Sequence, residues 1–160
     1  MAEYTSRSFD LLTLGQLLLR LSPPDNDRLS RGDTFVKQVG GAELNVAVGA
    51  SLLGLRTGVI SKLPSHDIGS FMKGKIRSFG VSDDFFMYDD SPSARVGIYY
   101  YENGAYPRKP KVIYDRMNSS FFSLNIDEIP KEVYTASKCF HTTGITLALS
   151  PQIRETTIEM

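Results

Sequence analysis

Short, mainly apolar runs bounded by glycine alternate in this chain with segments of helical periodicity. Residues 9–14 (FDLLTL) form one such run, which ends at Gly15, and residues 57–63 (TGVISKL) form a second. Runs of this length favour strands that are buried on both faces, as in a parallel sheet. We therefore predict two core strands over these residues.

Two segments near these strands have the pattern of helices. Small and apolar residues fill 42–53, and Gly54 suits the left-handed position after a helix. We predict that this helix is buried against a sheet, because it has few bulky or charged side chains. In residues 67–79 apolar positions recur on one helical face, with Asp67 as the predicted cap and Gly80 as the stop. Strand, helix, strand and helix in this order predict right-handed βαβ units.

Residues 17–39 and 95–116 have a different pattern, with two β-prone runs around a turn-rich stretch in each. We predict that these four strands join into one small sheet. It needs a partner surface, because an isolated strand pair is only marginally stable. Within it Tyr99 and Tyr101 share one face and Tyr100 points to the other.

The last part of the chain returns to the α/β pattern. Residues 119–123 and 127–134 predict short helical pieces, and residues 136–142 predict another core strand. Ser150 and Pro151 are a good cap and first residue for a helix that runs to the end of the sequence. The predicted sheet is unfinished there, so we interpret the chain as a piece of a larger α/β domain.

Composition and charge narrow the functional classes. Eighteen acidic and eighteen basic side chains balance without long runs, which argues against a nucleic-acid groove or a membrane surface as partner. No segment reaches the ~18 apolar residues of a membrane span, and no apolar signal core is present, so a cytoplasmic protein is expected. The single cysteine, Cys139, is expected to be a small buried residue. His66 and His141 lack neighbours at ligand spacing, so no metal site is expected.

Candidate chemistry concentrates at the turn before the first predicted helix. Gly40 and Gly41 let the backbone take positive φ and let another molecule approach closely, and the first helical amides point outward without backbone partners. Asn45 lies one turn into the helix, so its side chain faces the same opening as the glycine backbone. We predict a binding turn, the alternative being an ordinary structural βα turn. Gln16 follows the first strand at its carboxyl end, where α/β proteins place ligand contacts.

Several motifs together resemble the N-terminal half of ribokinase-like (PfkB-type) carbohydrate kinases, and among them most closely the 2-keto-3-deoxygluconate kinases. They are Gly15-Gln16 with residues 17–24 (LLLRLSPP), residues 40–48 (GGAELNVAV) through Gly54, residues 75–81 (KIRSFGV), residues 97–102 (GIYYYE) and residues 112–116 (VIYDR). The resemblance covers essentially the whole chain. It implies an α/β fold with a doubly wound parallel sheet, here incomplete, and a small β-sheet lid over the sugar. The lid segments are about 17–39 and 95–116, and in many members the lid also makes the dimer contact.

The resemblance also implies a substrate-binding set. Its members are Gln16, Gly40, Gly41, Asn45, Tyr99, Tyr114 and Arg116. Gly41 and Asn45 would bind sugar hydroxyls and Tyr99 would close the lid, while the pattern Tyr-x-Arg would hold the acid end of a keto-acid sugar. A carboxamide can donate hydrogen bonds to hydroxyls and accept hydrogen bonds from them. An arginine binds a carboxylate through two parallel hydrogen bonds.

Each role has a structural alternative: Asn45 ties a helix end to a loop, Tyr99 packs within a sheet, and Arg116 forms a surface ion pair with Asp115 or Glu102. One departure concerns position 16, where related kinases usually carry an acidic residue that accepts hydrogen bonds from the sugar. The neutral amide is a weaker acceptor and adds a donor, so affinity or substrate choice can differ.

A second departure is the absence of the Gly-Ala-Gly-Asp anion hole of the family. No catalytic residue is therefore expected in this chain, and the base is expected beyond Met160. The resemblance implies ATP and magnesium as cofactors of the full-length enzyme, with neither bound by this part. Phosphoryl transfer depends on groups placed around the phosphates, so the 160 residues alone are expected to be inactive.

We therefore expect the N-terminal, sugar-binding half of a kinase that transfers the ATP phosphate to a hydroxyl of a 2-keto-3-deoxy sugar acid, the ATP-binding half being absent. One alternative is another PfkB-type kinase, acting on fructose, ribose or 5-keto-2-deoxygluconate. The other is a non-catalytic sugar-binding module. The expected partners are a small sugar or sugar acid and a second copy bound through the lid.

Overall fold

Residues 8–160, which the computed structural model describes, form a parallel sheet with flanking helices and a separate smaller sheet. The strands are β1 Phe9–Leu14, β2 Leu18–Ser22, β3 Val36–Gly40, β4 Thr57–Pro64, β5 Val81–Ser82, β6 Phe86–Asp89, β7 Gly97–Glu102, β8 Lys111–Asp115 and β9 Ser137–His141. The α-helices are α1 Ala42–Leu52, α2 Asp67–Ser78, α3 Val133–Ala136, α4 Gly144–Leu147 and α5 Pro151–Glu159. Short 3-10 turns lie at Pro24–Asn26, Ser120–Ser123 and Ile126–Glu128.

The larger sheet has the order β5-β4-β1-β9, with β6 also paired to β4, and all of its pairings are parallel. The predicted core strands over 9–14 and 57–63 are confirmed as β1 and β4, which lie side by side. The strands β5 and β6 were not predicted, because two and four residues are too few to show a hydrophobic period.

Side chains on the two faces of this sheet build two hydrophobic clusters. On β4, Val59 and Leu63 pack in the cluster under α1 and α2, whereas Ile60 packs in the cluster that contains Phe121 and Ile153. Both faces of the sheet are therefore covered, which is the arrangement expected of a doubly wound α/β sheet.

The helix α1 is buried on one face only, which corrects the prediction that the whole helix is buried. Glu43, Leu44 and Ala47 are buried, whereas Leu52 and Leu53 are 78% and 85% exposed. The apolar composition is thus not matched by a second covering surface within residues 8–160. The predicted end of the helix is confirmed, because Gly54 has φ +89°.

Two further predictions are corrected by the surroundings of the residues concerned. The cap of α2 is His66, whose Nδ1 accepts a hydrogen bond from the Ile68 amide at 3.2 Å, and Asp67 is the first helical residue. Cys139 is exposed instead of buried, because β9 is the edge strand of the described sheet and has only β1 as its neighbour there. An edge strand lacks the neighbour on one side that a central strand has, and no described element lies over this side chain.

The smaller sheet, with the order β3-β2-β7-β8, confirms that residues 17–39 and 95–116 join. The pairing of β2 with β7 is parallel, and the two outer pairings are antiparallel. Leu19, Val39 and Ile98 pack against the core under α2. Because strand side chains alternate, the opposite face, with Arg20 and Tyr99, is turned towards the start of α1.

Candidate functional site

A cleft with a volume of about 330 Å³ lies between the smaller sheet, the start of α1 and the helix α4. Its lining residues are Gln16, Leu18, Arg20, Gly41, Ala42, Glu43, Asn45, Tyr99, Tyr101, Val112, Tyr114, Arg116 and Ile145. The lining contains every predicted substrate-binding residue except Gly40, which lies under the Tyr99 side chain. The geometry therefore brings together residues that are up to 100 positions apart in the sequence.

Gly41 forms the floor of the cleft at the start of α1, and Gly40 lies under the Tyr99 side chain. Gly41 caps the helix with φ +157° and ψ 138°, a conformation that is rarely open to other residues. A Cβ at Gly41 would also lie 3.0 Å from the Gln16 carbonyl oxygen. Asn45 is exposed in the cleft, and its side chain makes no hydrogen bond within residues 8–160. The alternative in which Asn45 ties the helix to a loop is therefore not seen.

Gln16 and Arg116 are joined side chain to side chain at one end of the cleft. The Oε1 atom of Gln16 accepts hydrogen bonds from Nε and Nη2 of Arg116 at 2.8 and 2.6 Å. The Nε2 atom of Gln16 donates to the Arg116 carbonyl oxygen at 3.0 Å and to the Ser119 hydroxyl at 2.7 Å. Burial lowers the pKa of Arg116 from its ordinary value, while Tyr114 and Glu43 act in the opposite direction.

Neither acidic residue suggested as a surface partner pairs with Arg116. Asp115 forms an ion pair with Arg95, with 2.8 Å between Oδ2 and Nη2. Glu102 forms an ion pair with Arg108, with 3.2 Å between Oε1 and Nη1. The Arg116 guanidinium forms no ion pair with any residue in 8–160. The ion-pair alternative is therefore wrong, and the cleft contains a half-buried cation whose charge is not balanced by a bonded carboxylate.

Tyrosines line the wall that the smaller sheet contributes. The rings of Tyr99 and Tyr114 lie 5.9 Å apart, and the Arg116 guanidinium carbon lies 5.8 Å from the Tyr114 ring centre. The predicted alternation is confirmed, because Tyr99 and Tyr101 line the cleft while Tyr100 contacts the Phe35 ring on the other side. Burial raises the pKa of Tyr99, so its hydroxyl is a neutral donor and acceptor at pH 7.

Arg20 belongs to the cleft although the sequence analysis did not single it out. Its guanidinium carbon lies 4.4 Å from the centre of the Tyr101 ring, and its Nε donates to the Ser22 hydroxyl at 2.9 Å. Arg20 forms no ion pair within residues 8–160. The signal that could have found it is its alternation with Leu19 and Leu21, which turns Arg20 to the same face as Tyr99 once β2 and β7 are paired.

Glu43 is a second residue that sequence analysis missed. Its buried Oε1 accepts hydrogen bonds from the Thr143 amide at 3.2 Å, the Thr143 hydroxyl at 2.5 Å and the Thr146 hydroxyl at 2.7 Å. These bonds attach α4, which carries Ile145 to the rim of the cleft, to the start of α1. Gly15 accommodates the carboxylate, since a Cβ there would lie 2.2 Å from Glu43 Oε2.

Within 8–160 no group of three or more His, Cys, Asp and Glu side chains could hold a metal ion. His66 is used as a helix cap, and His141 Nε2 is buried without a hydrogen-bond partner in the described residues. No helix in this range is long and apolar enough to cross a membrane.

Comparison with known proteins agrees with this fold and cleft. A curated relative from Haloferax volcanii, named 2-dehydro-3-deoxygalactonokinase, is 39% identical over 151 residues, which are 94% of this chain and 46% of that protein. A 5-dehydro-2-deoxygluconokinase from Listeria innocua is 29% identical over 150 residues, 93% of this chain and 46% of the relative. This chain thus spans about half the length of the curated relatives it matches.

A solved structure and a family profile also match this chain to carbohydrate kinases. The crystal structure of 2-dehydro-3-deoxygluconokinase from Thermotoga maritima superposes with a TM-score of 0.88 at 34% identity, covering 94% of this chain and 46% of that one. The profile described as pfkB family carbohydrate kinase matches residues 8–160. The expected ribokinase-like α/β fold and the resemblance to these kinases are confirmed, and the chain belongs to the pfkB family of carbohydrate kinases.

Proposed function

We propose that this chain is the sugar-binding part of a kinase that transfers the ATP phosphate to a hydroxyl of a 2-keto-3-deoxy sugar acid. The observation that carries the proposal is the charge of the cleft. Of the half-buried arginines in 8–160, Arg95 and Arg108 are paired with carboxylates, whereas Arg20 and Arg116 are not, and both of these line the cleft. Partly desolvated cations without a bonded carboxylate favour an anionic ligand.

The acid end of the substrate is assigned to Arg116 and Tyr114. The Nε and Nη2 atoms of Arg116 are occupied by Gln16, which leaves the donors on Nη1 and the second hydrogen of Nη2 for a ligand. Tyr114 is exposed, and its ring lies beside this guanidinium. A carboxylate at this place would receive charge-assisted hydrogen bonds, which are roughly twice as strong as bonds between neutral groups.

The hydroxyl groups of the sugar are assigned to the opposite wall. Asn45 offers two donors and an acceptor in the cleft and has no competing protein partner in residues 8–160. The close approach that Gly41 allows brings backbone within reach of the ligand. The smaller sheet then acts as the lid, with Tyr99 above the sugar.

The names of the relatives support a sugar acid over a neutral sugar. The Haloferax volcanii and Thermotoga maritima proteins are named as kinases of 2-dehydro-3-deoxy sugar acids. For the whole protein we propose ATP and magnesium as cofactors, a cytoplasmic location and a homodimer through the lid. Each of these proposals comes from the family, and the described residues are about half of the length of the relatives.

A second candidate is a non-catalytic sugar-binding module. The lack of the family's Gly-Ala-Gly-Asp segment in the sequence motivates it, because phosphoryl transfer depends on groups placed around the phosphates. An assay of ADP release with magnesium, ATP and 2-keto-3-deoxygluconate separates the candidates when it uses this chain extended to the full length of its relatives, because the 160 residues alone are expected to be inactive under both. Turnover by the extended protein would contradict the binding-module candidate.

The binding site itself is tested by titration calorimetry with 2-keto-3-deoxygluconate and with fructose, a neutral ketose. We expect the acid to bind more tightly, and Arg116→Ala to weaken acid binding by about tenfold to a hundredfold, since a hydrogen bond to a charged group contributes about 1.5–3 kcal/mol. Fructose binding should change little. The control is Arg31→Ala, at an exposed arginine outside the residues that line the cleft. Equal binding of acid and ketose by the unmodified chain would refute the proposal.

A further inference from the structure

Gln16 has no hydrogen-bonding capacity left for a ligand. A carboxamide has two N–H donors and an oxygen that accepts two hydrogen bonds. Both donors are used, by the Arg116 carbonyl oxygen and the Ser119 hydroxyl, and both acceptor positions are used by the Arg116 guanidinium. The residue is only 2% exposed. A direct contact between Gln16 and a sugar would require at least one of these four bonds to break.

The orientation of the Gln16 amide is fixed by its partners. A guanidinium carries donors only, so the oxygen of the amide must face Arg116 Nε and Nη2. The nitrogen must face the Arg116 carbonyl oxygen, which only accepts. The reversed amide would place donors against donors and an acceptor against an acceptor. The two residues are therefore complementary in one arrangement.

The surrounding backbone is shaped around this pair. Gly97 lies opposite Leu18 in the β2–β7 register, and its neighbour Ile98 lies opposite Asp115 in the β7–β8 register. A Cβ at Gly97 would lie 2.9 Å from Gln16 Nε2 and 3.3 Å from the Arg116 Cα. Gly97, at the start of β7, thus leaves room for the Gln16 side chain, which extends from the end of β1 to Arg116 at the end of β8.

We propose that Gln16 is a positioning residue that fixes the Arg116 guanidinium in the cleft and leaves its charge available to an acidic substrate. This inference rests on the proposed function and refines it. An acidic side chain at the same position would also hold the guanidinium, but it would neutralise the charge and compete with the carboxylate of the substrate. Gln16 thereby strengthens the binding of acids relative to neutral sugars without touching the sugar.

Two substitutions separate the positioning of the Arg116 guanidinium from the neutralisation of its charge. Gln16→Glu keeps the size and the acceptor but adds a negative charge, whereas Gln16→Leu removes all four hydrogen bonds and adds no charge. The control is Gln152→Glu, which makes the same chemical change on α5, outside the residues that line the cleft, where the amide donates one hydrogen bond to the Leu124 carbonyl oxygen at 3.1 Å. A role in stability alone would weaken acid and neutral ligands together, so the ratio of the two affinities is the informative quantity.

The first test measures the affinities of the full 160-residue chain for 2-keto-3-deoxygluconate and fructose by titration calorimetry. Gln16→Glu should lower acid affinity by about tenfold, because the substrate must displace a charge-assisted bond, and should leave fructose affinity within about twofold. Gln152→Glu should bind both ligands as the unmodified chain does. An unchanged acid-to-fructose ratio in Gln16→Glu would overturn the role of Gln16 in selectivity.

The second test needs no ligand and uses the side-chain Nε–H signal of Arg116 in ¹⁵N-resolved NMR spectra. In the unmodified chain this signal should be protected from exchange with water, and Gln16→Leu should remove the protection. In Gln16→Glu the signal should shift as the new carboxylate titrates, and the unmodified chain should show no such shift. If Gln16→Leu leaves the signal protected, Gln16 does not position Arg116. If the unmodified chain binds neither ligand, the proposed function fails, while this test still decides the positioning role.

Discussion

The hydroxyl of Tyr99 lies directly over Gly40, so that a Cβ built on this glycine would stand 2.6 Å from the phenol oxygen. The absence of a side chain at Gly40 therefore sets how deeply the tyrosine enters the cleft. We expect Gly40→Ala to push the ring outwards and to lower the free energy of unfolding by about 1 kcal/mol through overpacking. Urea unfolding measures the loss, and titration with the sugar acid measures the expected fall in affinity.

A double substitution tests whether the contact is the cause. Tyr99→Phe removes the oxygen that meets the new methyl group, so Gly40→Ala together with Tyr99→Phe should be more stable than the sum of the single effects by about 0.5 kcal/mol or more. Additive effects would show that Gly40→Ala acts through the backbone of β3 and not through Tyr99.

Glu43 should be among the polar residues that matter most for folding. Glu43→Ala leaves the half-buried Thr143 and the buried Thr146 without their shared acceptor, and we expect a loss of about 2–4 kcal/mol in the free energy of unfolding. Thr146→Val removes one of these bonds and should cost about 1 kcal/mol. Chemical unfolding in urea checks both values. A loss below 1 kcal/mol in Glu43→Ala would mean that water replaces the carboxylate.

Three helical glycines should respond differently to the same substitution. A Cβ at Gly49 in α1 or at Gly74 in α2 would meet no atom within 4 Å, whereas one at Gly69 would lie 1.9 Å from the Pro64 carbonyl oxygen. Gly49→Ala and Gly74→Ala should each stabilise the fold by about 0.5–1 kcal/mol, because alanine is the better helix former. Gly69→Ala should destabilise it. The midpoints of urea unfolding report all three, and a stabilised Gly69→Ala variant would contradict the close approach of α2 to β4.

Asp10 should make stability depend on pH in the acid range. Its pKa is lowered from 3.8 to about 2, chiefly by the hydrogen bond from Lys138 Nζ at 2.7 Å and then by the Arg56 amide at 2.9 Å. A pKa below that of the unfolded chain adds stability that is complete above about pH 4 and is lost as the pH falls towards 2. Asp10→Asn should therefore be less stable than the unmodified chain at pH 7, and the difference should shrink between pH 4 and 2. The exposed Asp33→Asn is the control, and a constant difference across that range would contradict the assignment.

The sequence predicted the main strands and the principal helices because their apolar residues recur with a regular period. It also predicted the smaller sheet, since Tyr99, Tyr100 and Tyr101 alternate as strand residues do. Period alone does not show what covers an element. Leu52 and Cys139 are apolar or weakly polar residues in regular elements, yet both are exposed because no described element lies over them.

The candidate site could be located from the sequence only in outline. The glycine pair and Asn45 are close in the sequence and belong to one local turn, so their proximity was visible. The partners of Gln16 lie 100 and 103 residues away, and no local pattern reports a contact at that range. Arg20 and Glu43 were missed for the same reason, since their roles depend on how strands and helices from separate segments come together.

The edge position of Cys139 has a practical consequence. It is the single cysteine of the sequence, and it is exposed on β9, away from the set of residues that lines the cleft. A thiol-reactive fluorophore can therefore be attached at one defined place without mutagenesis. A change in the emission of this label would report the binding of another polypeptide at the β9 edge of the larger sheet. The arginines and tyrosines of the cleft would not be modified.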